Sequence, residues 1–83
     1  MSFHEGDKVR ARARDKYLYV RPYHVGEPVG GLGVEVDRGA VLEVIEGTVH
    51  GWRGDEFLPI LETQVRTPSG FIGWVYDEQV ELA

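Results

Sequence analysis

Glycine and proline interrupt this 83-residue chain so often that no stretch of 11 or more residues keeps apolar side chains at helical spacing. The pieces between them are short and rich in Val, Ile, Leu, Tyr, Trp and Thr, residues that suit a pleated, half-buried surface. That combination excludes a helical bundle and points to an all-β chain.

The segment K-V-R-A-R-A-R, residues 8–14, gives the clearest strand signature. Strict alternation is the pattern of a strand with one wet face and one buried face. The first strand is therefore expected over Lys8–Ala13, with Val9, Ala11 and Ala13 inward. A second strand is expected over Tyr17–Arg21; Pro22 cannot donate to a ladder, so the strand ends there or lies at an edge. Residues 22–34 hold two prolines and four glycines and read as a long irregular loop. A third strand is expected over Val41–Glu46, a second loop over 47–56, and a fourth strand over Phe57–Thr67. Pro68-Ser69-Gly70 forms a tight turn into a fifth strand, Phe71–Tyr76. Asp77-Glu78-Gln79 is expected to make one 3₁₀ turn before a short last strand, Val80–Leu82.

Length supports one domain, with its core over about residues 7–82. Hydrophobic residues make up 42% of the chain, too many for a disordered segment. There is no cysteine, so disulfides, thiolate metal sites and a cysteine nucleophile are excluded. The start M-S-F-H-E-G-D-K has no apolar run, and nothing approaches the length of a membrane span, so the expectation is a cytoplasmic protein.

With these motifs in place the chain resembles SH3-like barrels, and among them the bacterial SH3 (SH3b) domains. Leu18-Tyr19-Val20-Arg21-Pro22 is similar to that family's L-N-V-R motif after the first strand, with Tyr19 where asparagine is usual. Asp37-Arg38-Gly39 matches its turn into the next strand, Gly51-Trp52 its G-W, and Gly70-Phe71-Ile72-Gly73-Trp74-Val75 its closing G-x-x-G-W-V. The resemblance spans about residues 7–82. It implies a small, partly open five-stranded barrel with long early loops and a 3₁₀ turn before the last strand.

It also implies a ligand groove between the long loops, lined by aromatic side chains. Tyr19, Tyr23, Trp52 and Tyr76 are the candidates. Large flat rings bury much area at low entropy cost and suit peptide recognition. The second candidate is the basic comb itself: Lys8, Arg10, Arg12 and Arg14 share one strand face. Residues 1–24 carry six basic against three acidic residues, whereas 25–83 carry three against eleven, for a net charge of −5. The comb is either a docking stripe for an acidic partner or a solvated face paired with Glu43, Glu62 or Glu81.

Catalytic chemistry finds no footing. His4, His24 and His50 are scattered, so no metal or other cofactor is expected, and Ser2 and Ser69 lack a nucleophile's surroundings. Arg53-Gly54-Asp55 reads as a chance match to the integrin-binding tripeptide. The expectation is a non-catalytic protein-interaction module. Recognition of cell-wall peptide is the first alternative, implied by the SH3b resemblance. Nucleic-acid binding through the comb is the second, against which the overall acidity counts.

Overall fold

The computed structural model describes residues 2–12, 17–27 and 30–83. Among these residues it is all-β, with strands β1 Lys8–Ala11, β2 Tyr17–Val20, β3 Val34–Asp37, β4 Leu42–Arg53, β5 Glu56–Arg66, β6 Ile72–Tyr76 and β7 Val80–Leu82. A 3₁₀ turn, Asp77–Gln79, precedes β7, as the sequence suggested. The main sheet is antiparallel with order β6-β5-β4-β1-β7, and β2 and β3 form a separate antiparallel pair.

The two sheets do not close into a barrel. They meet through an isolated bridge at which Arg21 and Trp74 exchange both backbone hydrogen bonds, 2.9 and 2.7 Å long. Gly73 makes this crossing possible. A Cβ there would stand 2.3 Å from the Arg21 carbonyl oxygen, and glycine alone leaves room for such an approach.

The core forms where alternation said it would. Val9 and Ala11 of β1 and Leu18 and Val20 of β2 are buried, and the residues between them face out. Leu42, Val44, Val65, Val75 and Val80 complete it, with Phe71 and Val36 packed at the margin. Phe3 also belongs to this core, 2% exposed. Its backbone N–H donates to Thr48 Oγ1 at 2.8 Å, and its carbonyl accepts from the Thr48 N–H. Residues 3–6 are thus part of the fold, Gly6 donating its N–H to the Val44 carbonyl at 2.9 Å.

Two expected loops differ from the structure. Residues 47–53, expected to be irregular, continue β4 to a length of 12 residues. Gly51 sits inside that strand because Val25 lies against it: a Cβ would stand 2.8 Å from the Val25 Cβ. The irregularity takes the form of register shifts against β5 between Val44 and Glu46, Glu46 and Val49, and His50 and Trp52. The real turn is Gly54-Asp55. Gly54 takes the first place of this two-residue turn with φ +59°, the left-handed region that glycine enters freely. The second difference is β3, an alternating strand that begins at the last residue of the expected 22–34 loop and runs to Asp37, where no strand was expected. They pair with β2 from Val20↔Val34 to Tyr17↔Asp37.

Candidate interaction face

The loop of residues 21–27 leaves β2 and crosses the main sheet over β4, β5 and β6. What fixes it there is a carboxylate. Glu62 of β5 is wholly buried, and its Oε1 accepts from Arg21 Nη2 at 2.7 Å. Its Oε2 accepts from the Val25 backbone N–H at 2.8 Å. Arg21 also donates through Nη1 to the Tyr23 carbonyl at 3.2 Å. The side chain that holds the loop to the sheet therefore also folds the loop's own backbone. Burying two charges carries a desolvation cost, offset only when nearly every donor and acceptor is matched, as happens here.

One aromatic ring packs on this pair and others on the loop that it holds. The Arg21 guanidinium lies 4.4 Å from the centroid of the Tyr76 ring, and Tyr76 is the cross-strand partner of Glu62. His24, three residues along the loop, stacks on Trp52 with centroids 3.6 Å apart and planes 21° from parallel. Trp74 meets both edge-on, at 6.0 Å from His24 and 6.5 Å from Trp52. Trp74 and Val75 point to opposite faces of β6, and both are buried, because the loop covers one face and the core the other. The His24 Nδ1–H donates to the Val25 carbonyl at 2.9 Å, and Nε2 lies 3.6 Å from a Glu27 carboxylate oxygen.

Of the four groove candidates, Tyr23, Trp52 and Tyr76 thus gather on this loop. The Tyr76 ring meets Arg21, Trp52 stacks on His24, and Tyr23, a loop residue, is tied in through its backbone carbonyl, which accepts from Arg21. Tyr19 is held separately: it is 45% exposed on β2, and its hydroxyl accepts from the Gly33 N–H at 2.8 Å. Sequence reasoning missed three of the residues that build this face. Arg21 was visible in Leu-Tyr-Val-Arg-Pro, but its partner lies 41 positions away. Glu62 looked like any charge on an alternating strand. His24 looked like an isolated loop histidine. Beside the face the β4–β5 hairpin projects, with Phe57 at 78% exposure.

The basic comb has a different setting. Lys8 and Arg10 lie opposite Glu43 and Glu81 in the sheet register. Lys8 Nζ donates to Glu43 at 3.1 Å, Arg66 donates to the same carboxylate at 2.8 Å, and Arg10 reaches Glu81 at 3.4 Å. Lysine and arginine beside Glu43 hold its carboxyl below the usual glutamate range, the Lys8 hydrogen bond being the largest cause. Glu62, the third expected acid, belongs to Arg21 instead. Arg12 lies at the edge of a hollow of about 430 Å³ with Pro59, Ile60, Leu61, Tyr76, Asp77 and Glu78. Arg14 and Ala13 lie outside the described residues.

A third polar group closes on itself. Asp77, buried in the 3₁₀ turn, accepts from the hydroxyls of Thr48 and Thr63, both at 2.5 Å. Among the described residues no three His, Asp or Glu side chains converge as metal ligands, and no helix is long and apolar enough to cross a membrane.

Fold and site together define a two-sheet antiparallel β domain that fixes an aromatic loop over one face of its main sheet. Set against protein-family models, curated proteins and solved structures, the chain matches none of them.

Proposed function

We infer that this domain is a non-catalytic protein-interaction module. Its binding face is the aromatic loop, with Tyr23, Trp52 and Tyr76 at its centre and Tyr19 on the neighbouring strand. The observation that carries this reading is the double anchoring of residues 21–25 on buried Glu62. A surface whose aromatic side chains are already ordered gives up little conformational freedom on binding. The SH3b-like motifs of the sequence belong to the same reading, since the resemblance also assigns ligand recognition to aromatics beside the long early loop.

The comb takes second place. Lys8 and Arg10 already face carboxylates at ion-pair distance, which lowers the net charge they offer to an acidic partner or a phosphate backbone. Capture from extracts of the native host tests the choice. A partner held by the wild type and by Lys8→Glu/Arg10→Glu, and lost from folded Tyr19→Ala and Trp52→Ala, supports the aromatic face. Loss from the charge-reversed variant alone contradicts it. Co-sedimentation with purified cell wall, run with the same variants, tells whether the ligand is wall peptide.

A further inference from the structure

The tip of the β4–β5 hairpin carries a hollow of about 410 Å³ lined by Val49, His50, Trp52, Gly54, Asp55 and Phe57. Register explains its composition. Trp52 and Phe57 are directly opposed across the hairpin and so share a face, while the next pair, Arg53 and Glu56, falls on the other. The arginine is thereby turned away and the two rings are left together, with His50 tilted against Phe57 at a centroid distance of 6.2 Å.

The His50 Nδ1–H donates to the Leu58 carbonyl at 3.1 Å, which ties the ring to β5. Asp55 supplies a carboxylate, and Trp52 and Phe57 supply electron-rich ring faces. Among the described residues no lysine or arginine lines the space. A negatively charged residue would meet Asp55 unfavourably. A positively charged group on an apolar stem meets both the rings and the carboxylate.

We propose that the hairpin tip accepts a lysine or arginine side chain of the partner, so that the ligand of this module is a basic peptide segment. This rests on the interaction-module reading and sharpens it: the partner presents positive charge, the reverse of what the comb alone would suggest. Excess negative charge over residues 25–83, eleven acidic against three basic, favours the same encounter at long range.

The test is a titration of the ¹⁵N-labelled full chain with N-acetyl-lysine-methylamide, with the arginine, norleucine and glutamate analogues in parallel. The lysine and arginine probes are expected to shift the Trp52 indole N–H and the backbone amides of 49–57, leaving the Trp74 indole unmoved, with dissociation constants in about the millimolar range. Norleucine, which has the stem without the charge, and the exposed turn variant Asp55→Asn are each expected to weaken binding about two- to fivefold. Added salt should weaken the lysine probe and not norleucine. Norleucine binding as tightly as lysine overturns the cation assignment while leaving the aromatic face as a binding surface. Absence of shifts at 49–57 with every probe overturns the site, and the capture experiment then judges the interaction-module reading on its own.

Discussion

Arg21 and Glu62 meet at 2.7 Å although 41 positions separate them in the chain, and Glu62 has no exposed surface. One residue leaves the small sheet and the other lies in the second strand of the large one, so the pair ties the two together beneath the aromatic loop. Removing one partner of a buried pair leaves the other charged and unmatched, at a cost of about 3–5 kcal/mol. Native stability for a chain of this size is about 4–12 kcal/mol. Glu62→Gln is therefore expected to remove a large part of the stability and to lower the urea midpoint markedly. Arg21→Met/Glu62→Leu, which removes both charges, should recover part of the loss. A Glu62→Gln variant within about 1 kcal/mol of wild type would count against a structural role for the pair.

The crossing at Gly73 gives an independent handle on sheet association. A methyl group there would stand 2.3 Å from the Arg21 carbonyl and 2.8 Å from a Val20 methyl, so backbone must move. Gly73→Ala is expected to cost about 1–3 kcal/mol. Amide exchange should accelerate first at Arg21 and Trp74, whose paired hydrogen bonds form the bridge. Unchanged protection at both would show that the sheets are held elsewhere.

Those two long-range contacts also mark how far the sequence could be read. Alternation revealed β1, β2 and their buried faces, because a strand's inside and outside are local properties of Val9, Ala11, Leu18 and Val20. The 3₁₀ turn at Asp77–Gln79 was legible as well, as a short polar segment between two strands. Alternation failed at Gly51, where glycine marks the close approach of Val25 and not the end of a strand. It failed again at Glu62, since nothing in an alternating segment tells a buried carboxylate from a wet one until its partner is known. Tyr23, Trp52 and Tyr76 were visible as aromatics, but Arg21 and His24, which organise them, have their partners on other strands.

Glu43 offers a test by pH. Its folded carboxyl titrates below the ordinary glutamate range, chiefly through its hydrogen bond with Lys8 and then through the Lys8 and Arg66 charges. A lowered folded value means a contribution to stability that is present above the unfolded glutamate value, near about 4.3. That contribution is lost as pH falls through the folded value. In ¹³C-detected titration Lys8→Met is expected to raise the Glu43 midpoint more than Arg66→Met does. Equal or reversed effects would contradict the ordering.

Engagement of the comb is open to a simple chromatographic check. Glu43 and Glu81 hold Lys8 and Arg10 in exposed pairs, so Glu43→Gln/Glu81→Gln should leave heparin at higher salt than the wild type. No change in elution would mean that these acids do not restrain the cations.

The claim on which the rest depends is that residues 21–27 are held as an ordered platform before any ligand arrives. Backbone ¹⁵N relaxation of the unliganded protein tests it most directly. Order parameters of about 0.85 across 21–27, comparable with the strands and falling towards about 0.6 in Glu62→Gln, are the expected result. Values already near 0.6 in the wild type, or a loop indifferent to the loss of the Glu62 charge, would contradict it.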